Sequence, residues 1–396
     1  MEKAIPRRIL PVIVISQFAG TSLWFAGNAI LPELKSELQL SVYAVSHVTS
    51  AIMLGFVAGT LLLAILNLTD RYSPVKLFFI SSLAGALTNA AVVWFAKDAG
   101  SLFALRFLTG ACLAGIYPVG MKIAADWYDK GLGKALGFLV GALVLGTAFP
   151  HLLKNREFAI PWRSVLYYTS LFAIIGGLLM LLAVGDGPYR KRSGKFQWNS
   201  IPLIFKSSKW RKSATGYFGH MIELYSFWGF VPLLFALYNT LRQASINIPL
   251  FSFLVIASGA LGCVLGGYLS LKEGSAKVAF VALLISGCCC LLSPIFFFLP
   301  PAFFLFFMFI WGITVVADSP QFSALAAQYA APELRGTALT IYNSIGFLVT
   351  SFSLFITDRI FHSHSLMAGS RTFVILGIGA LLVLPAVRSL FHRKQE

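Results

Sequence analysis

The stretch Gly219-His220-Met221-Ile222-Glu223-Leu224-Tyr225-Ser226-Phe227-Trp228 lies inside an apolar segment that runs from Ser213 to Tyr238. That segment is long enough to cross the roughly 30 Å hydrocarbon layer of a bilayer as one helix. His220 and Glu223 are three positions apart, so a helix presents them on one face, near the predicted midplane. Ionisable groups are costly in lipid and usually face a bundle interior or a watery cavity. The stretch therefore predicts a solvated passage through a bundle of helices.

The composition along the whole chain is that of a membrane protein with many spans. Of its 396 residues, 58% are hydrophobic and 12% are charged, whereas an average soluble domain has about 25% charged residues. The formal net charge of +16 raises the question of nucleic-acid binding. The basic residues stand between apolar spans and form no interleaved basic face, so we expect no nucleic-acid partner.

The apolar segments predict an all-α membrane protein with twelve transmembrane helices. No window has the alternation of barrel strands. The first segment is long, contains Gln17 and Asn28 and lacks a clean cleavage site, so we interpret it as a span and not as a signal peptide. The predicted spans are 9–32, 45–67, 75–96, 101–125, 132–153, 163–184, 213–238, 246–270, 277–298, 302–329, 335–357 and 370–390.

The distribution of Lys and Arg predicts the orientation. With both termini in the cytoplasm, the inside loops and termini hold 21 of these residues and the outside loops hold 8. Cytoplasmic loops carry the excess of positive charge in membrane proteins. We therefore expect a multi-pass protein of the cell inner membrane, a monomer whose basic loops touch anionic lipid.

The chain divides into two similar halves around a basic segment. We predict a six-helix bundle over 1–186, a basic cytoplasmic linker over 187–212, and a second six-helix bundle over 213–396. The loop after span 2, 68–76, has an echo at 269–277, and the segment 133–137 before span 5 has an echo at 336–340. These echoes are 201 and 203 positions apart, which indicates a duplicated unit. Such internal repeats are typical of transporters, with the solute site where the repeats meet.

The loop after span 2 resembles the signature loop of the major facilitator superfamily. The matching residues are Leu68, Asp70, Arg71 and Lys76, while Leu66 and Ser73 replace the two glycines of the pattern. Arg106-Phe107-Leu108-Thr109-Gly110 is similar to the span 4 motif of the same family. The resemblance implies two six-helix bundles and secondary transport by alternating access, without enzymatic activity or a cofactor. It also implies that spans 1, 4, 7 and 10 line the cavity. A cytoplasmic latch is implied for Asp70, Arg71 and Lys76, in which Asp70 meets a helix start near Gly336.

Unusual polar residues concentrate in those four spans. We expect proton coupling at Glu223, shared with His220 and Asp318, because carboxyl and imidazole groups form proton relays inside membranes. Asp318 has Lys122 or His220 as its expected partner. The predicted substrate-binding residues are Arg106, Lys122, Gln17, Trp24, Asn28, Tyr117, Tyr225, Trp228 and Gln321. The cationic side chains among them favour a small anion or organic acid as the solute.

Other interpretations of the polar residues stay open. The protein is alternatively a proton-driven exporter of amphipathic drugs or metabolites, or a transporter of divalent metal. His151, His362 and His364 suggest a metal site, but few acids lie near them in the sequence, and we predict none. The apolar surroundings of the cysteines Cys112, Cys263, Cys288, Cys289 and Cys290 favour packing over metal binding.

Overall fold

The computed structural model describes residues 5–128, 132–158, 160–190, 198–363 and 366–391, and every regular element within these ranges is helical. The first half contains α1 (Ile9–Thr21), α2 (Ala26–Ala29), α3 (Leu31–Glu37), α4 (Ala44–Ile65), α5 (Leu68–Arg71), α6 (Pro74–Phe95), α7 (Ala99–Leu113), α8 (Tyr117–Trp127), α9 (Leu132–Leu153) and α10 (Trp162–Ala183). The second half contains α11 (Ile201–Lys206), α12 (Ser208–Arg242), α13 (Ile248–Glu273), α14 (Ser275–Phe296), α15 (Pro301–Ala317), α16 (Ser319–Tyr329), α17 (Arg335–Phe361), α18 (Leu366–Leu382) and α19 (Leu384–Arg388). Short 3-10 helices occupy Arg156–Phe158, Trp198–Ser200 and Pro332–Leu334.

Eleven helical segments in the described ranges are long and apolar enough to cross a membrane. They occupy the positions of predicted spans 2 to 12, and the short apolar helix α1 lies where span 1 was predicted. The prediction of an all-helical membrane fold is confirmed. One detail was wrong: span 1 is not a single helix over 9–32, because the chain leaves helical geometry between α1 and α2 and again before α3.

The described residues fall into two compact units, one drawn from 1–195 and 247–257 and the other from 196–246 and 258–396. We call them the first unit and the second unit. The helix bounds repeat between them: α14 begins and ends 201 positions after α6. The pair α15–α16 begins and ends 202 positions after the pair α7–α8, and each pair is interrupted at its middle.

The packing inside each unit repeats as well. In the first unit α1 packs on α8, α9 and α10, and in the second unit α12 packs on α16, α17 and α18. Glycines allow close backbone approach between neighbouring spans. A Cβ atom added to Gly55 of α4 would lie 1.9 Å from the carbonyl oxygen of Phe107 on α7, and one added to Gly262 of α13 would lie 2.0 Å from that of Ile313 on α15.

Burial distinguishes the predicted interior spans from the peripheral ones. In α12, 78% of the apolar window is buried, against 33% for α6. Phe303 and Phe306 are exposed on α15. At the start of α7, the exposed Asp98 carboxylate accepts the backbone N–H of Ser101 at 2.7 Å, and this bond holds the pKa of that carboxylate below its usual value.

Candidate functional site

Helix α12 brings two titratable side chains into the interior of the second unit. It is unbroken over 35 residues, and His220 and Glu223 stand one turn apart on it, as their spacing predicted. Each side chain is about 1% exposed. Both therefore face protein from neighbouring helices, and neither is turned toward lipid.

His220 meets Asp318 at the interruption between α15 and α16. The imidazole Nδ1 lies 2.8 Å from Asp318 Oδ1, and the carboxylate is fully buried. Pro320 causes the interruption, because proline has no N–H and leaves the Val316 carbonyl without its usual helical donor. The Cys263 thiol donates to that carbonyl at 3.5 Å. His220, one of the two partners predicted for Asp318, thus lies beside it within the second unit.

Glu223 is held by neutral donors on two other helices. The indole Nε1–H of Trp311 on α15 donates to Oε1 at 2.7 Å, and the hydroxyl of Ser286 on α14 donates to Oε2 at 3.0 Å. The Cys290 thiol is a further hydrogen-bonding neighbour. Among the described residues, no basic side chain forms an ion pair with Glu223. Sequence reasoning missed Ser286, whose only signal is a hydroxyl within an apolar span.

Aromatic rings surround these groups within the second unit. Tyr217, one turn before His220, stacks on Tyr342 of α17 with ring centroids 4.0 Å apart. Tyr225 and Trp228, both predicted to bind substrate, are buried with centroids 5.3 Å apart. Gln321 is buried in the first turn of α16, where its backbone N–H donates to the Asp318 carbonyl at 3.0 Å. The three predicted residues thus lie in the same unit as the proton-coupling candidates.

Arg106 binds the interrupted first span of the first unit. Its Nη2 donates to the carbonyls of Leu23 and Trp24 at 3.2 and 2.7 Å, and its Nη1 donates to Asn89 Oδ1 on α6 at 2.9 Å. Carbonyls at a helix interruption lack their usual N–H donors, and here the buried guanidinium donates to them instead. A Cβ added to Gly27 would lie 2.9 Å from Arg106 Nε. Asn89, which sequence reasoning missed, is signalled only by an amide in an apolar span.

The other predicted substrate residues of the first unit lie on α1, α2 and α8 and on the segment between α1 and α2. Gln17 is fully buried against Gly120 of α8, and the rings of Trp24 and Tyr117 make an edge contact with centroids 6.4 Å apart. Asn28 on α2 donates to the Thr49 hydroxyl of α4 at 2.7 Å. The remaining residue predicted for this group is the half-buried Lys122, which also has an interaction partner.

The loop predicted as a latch is held within the first unit by contacts with Asp186 and Arg190, which follow α10. The predicted latch residues are Asp70, Arg71 and Lys76. Arg71 and Lys76 are exposed, and the side chain of Asp70 lies outside the described part of the chain. Ser73, which replaces a signature glycine, donates to Asp186 Oδ1 at 2.5 Å. Arg190 pairs with Asp186 at 2.8 Å and donates to the Tyr72 carbonyl at 2.7 Å.

The histidines first considered for metal binding are dispersed. His151 is buried at the end of α9, His362 pairs with Asp358 at 3.0 Å, and His364 lies outside the described residues. In the ranges that the structure describes, no group of three or more His, Cys, Asp or Glu side chains is placed to hold a metal ion. Asp358 is a fully buried acid that sequence reasoning placed in a loop, because span 11 was predicted to end at 357 whereas α17 continues to Phe361.

A duplicated bundle of membrane-length helices, with interrupted helices and ionisable groups in its interior, defines a multi-pass transporter. A model of the Major Facilitator Superfamily matches residues 13–354, so the chain belongs to that superfamily. It is accordingly a secondary transporter of a small molecule and not an enzyme.

Solved structures share this fold at low sequence identity. The human organic anion transporter MFSD10 (TETRAN) is 15% identical with a TM-score of 0.72, over 96% of this chain and 99% of that one. A bacterial homolog of the human lysosomal transporter Spinster, inward-facing and occupied, is 13% identical with a TM-score of 0.70, over 98% and 97%. A point mutant of the nucleoside transporter NupG is 14% identical with a TM-score of 0.71, over 97% and 100%.

Proposed function

We propose that this protein is a proton-coupled secondary active transporter that moves a small solute across the inner membrane by alternating access. Both termini lie in the cytoplasm in this proposal, and the linker 187–212 joins two six-helix units. The observation that carries the proposal is the buried group of Glu223, His220 and Asp318 in the second unit. Buried acids and histidines inside membrane spans are the groups that form proton relays in transporters.

The hydrogen bonds of Glu223 suit both of its protonation states. The Trp311 N–H only donates, and it donates to Oε1 whether the group is charged or neutral. The Ser286 hydroxyl donates to a carboxylate but accepts from a carboxylic acid after it rotates. A proton is therefore gained or lost at Oε2 without leaving either neighbour unpaired.

His220 and Asp318 supply a second position for the same proton. Their contact joins α12 to the interrupted α15–α16 pair, so the charge of this pair acts on a point where the helix is already weakened. An imidazole and a carboxylate in contact share a proton between them as one unit. We propose that binding of a proton by the Asp318 carboxylate, which removes its negative charge, loosens this contact during transport.

We propose a small organic anion as the solute, with a changed role for Arg106. The guanidinium donates to three protein acceptors, and it is fully buried. Its proposed role is to stabilise the interruption of span 1, and the other candidate residues contact the solute. Substrate screens should include organic anions and nucleosides, the solutes named for two transporters of the same fold.

The test uses the full-length protein in proteoliposomes with an imposed pH gradient. Radiolabelled organic anions and nucleosides are screened for uptake, and the first transported solute is measured with Glu223→Gln and with Glu273→Gln. Gln retains both hydrogen bonds of Glu223 but neither gains nor loses a proton in this pH range. The pH gradient should therefore no longer accumulate the solute above its equilibrium concentration, while exchange of solute across the membrane continues. Glu273 is an exposed acid paired with Lys277, and its variant should behave as the wild type. An unchanged pH response of Glu223→Gln would refute the proposal.

A further inference from the structure

The start of α8 is a helix N-terminus inside the first unit. Span 4 is interrupted after Leu113, α8 begins at Tyr117 and continues for 11 residues, and Pro118 stands at its second position. The first amide groups of a helix have no acceptor within the helix, and its N-terminus carries a partial positive charge. Such ends bind anions in many proteins, and in transporters the ends of interrupted helices point at anionic groups of the substrate.

A buried amide side chain points into this helix start. Gln17 of α1 is 0% exposed, and neither of its side-chain polar atoms has a hydrogen-bond partner among the described residues. A Cβ added to Gly120, in the first turn of α8, would lie 2.0 Å from Gln17 Oε1. The oxygen and nitrogen of an amide exchange places by a half-turn, so the same position presents an N–H donor. Buried polar groups without a partner are rare and call for an explanation.

The internal repeat provides that explanation. His220 lies 203 positions after Gln17, and Asp318 lies 202 positions after Ile116. The contact of Gln17 with Gly120 recurs in the second unit. There His220 lies against Phe322, the residue 202 positions after Gly120, and the two ring centroids are 6.2 Å apart. In the second unit Asp318 is the residue that precedes α16, and its carboxylate Oδ1 lies 2.8 Å from His220 Nδ1.

The first unit keeps the helix start and a donor side chain, but within the ranges that the structure describes an apolar residue stands where the second unit has Asp318. Ile116, fully buried and packed toward Gly20, stands at the position of Asp318. The rings of Trp24 and Tyr117 lie beside this helix start, with an edge contact between them. A ligand with a carboxylate and a compact apolar body matches these groups.

We propose that the α8 helix start and Gln17 bind the carboxylate of a small organic acid, with its apolar body against Trp24 and Tyr117. The inference rests on the proposed transport function and names the substrate class and its contacts. The ligand carboxylate accepts hydrogen bonds from the first-turn amides and from Gln17 Nε2, and it lies beside Gln17 as the Asp318 carboxylate lies beside His220.

Equilibrium binding to the purified full-length protein tests this site. Acetate, lactate and benzoate are titrated against the detergent-solubilised protein at fixed pH, with benzamide as the neutral analogue of benzoate. We expect at least one carboxylate to bind and to raise the melting temperature, and benzamide to bind at least tenfold more weakly than benzoate. Equal binding of benzoate and benzamide, or no binding of any carboxylate, would overturn the site.

Two variants at one position and a matched control complete the experiment. Gln17→Met keeps the side-chain length and removes the donor, and Gln17→Glu places a like charge at the site. Each should weaken carboxylate binding at least tenfold, since a hydrogen bond to a charged group is lost. The exposed Gln328→Met should bind as the wild type does. Thermal unfolding identifies any variant that has not folded, and wild-type affinity in both folded Gln17 variants would overturn the proposal.

The outcome is independent of proton coupling. Binding at fixed pH requires no gradient, so a carboxylate site with an unchanged pH response in Glu223→Gln would reject the coupling mechanism alone. In the reverse result, Glu223→Gln loses coupling, and the transported solute does not require Gln17. That result would reject the carboxylate site alone.

Discussion

The close backbone contact between α4 and α7 allows a stability prediction with a defined magnitude. In Gly55→Ala, the new Cβ would lie 1.9 Å from the Phe107 carbonyl oxygen and 2.8 Å from its carbon. Ordinary carbon–oxygen contacts are about 3.3 Å, so α4 and α7 must separate locally by roughly 1.4 Å. The obstacle is backbone, so no change of side-chain rotamer relieves it.

Overpacking of this kind typically costs about 1–3 kcal/mol, and a clash with backbone belongs at the upper end. A loss of about 3 kcal/mol lowers the melting temperature of a unit of this size by about 6–12 °C. Gly267→Ala is the matched control in α13, since its new Cβ would meet nothing within 4 Å. Alanine is favoured over glycine inside a helix by about 0.5–1 kcal/mol, so the control should melt slightly higher than the wild type.

Differential scanning fluorimetry of the purified protein in one detergent measures both variants. Opposite signs of the two shifts support the close approach of α4 and α7. A Gly55→Ala protein that melts at or above the wild-type temperature would show that these helices are further apart than the structure places them. An equal loss in both variants would show that helix propensity and packing are not what the assay reports.

Three further predictions follow from the site and its surroundings. Arg106→Met removes the guanidinium donor from three buried acceptors and should cost about 2–4 kcal/mol after relief of the buried charge, while the exposed Arg163→Met should change little. Equal melting temperatures of the two variants contradict this prediction. Glu223→Leu leaves the Trp311 N–H without its acceptor, while the Ser286 hydroxyl keeps the Leu283 carbonyl at 3.3 Å. This variant should melt below Glu223→Gln, since a buried unpaired group costs about 1–3 kcal/mol, and the reverse order contradicts the assigned bonds. The folded pKa of Asp98 is lowered, so its stabilising effect is present above the unfolded value of about 3.9 and is lost as the pH falls through the folded value. The melting difference between Asp98→Ala and the wild type should therefore disappear in acid, and a pH-independent difference would contradict the cap.

Part of the candidate site follows from local spacing. The interval between His220 and Glu223 places both on one helix face in any helical fold, and their position within an apolar segment predicts burial. Asp318 was recognised for the same reason. The partners of Glu223 were not, because Ser286 and Trp311 are ordinary residues in apolar spans until α14 and α15 bring them to α12.

Arg106 shows the limit most clearly. A lone cation in an apolar span reads as a ligand for an anionic solute. Its bonds to Leu23, Trp24 and Asn89 depend on an interruption of span 1 that apolar composition does not signal. Where the acceptors are backbone carbonyls, no side-chain pattern marks them in advance.

Many membrane crossings and two related halves follow from the amino-acid sequence without any coordinates. Segment length, hydropathy and repeated offsets are local quantities, and a bilayer admits few ways to satisfy the backbone of such segments. The tertiary structure alone decided that span 1 is interrupted, that Arg106 stabilises the interruption, and that His220 pairs with Asp318. Those contacts join residues that are tens to about a hundred positions apart, so their energies depend on packing that no single segment contains.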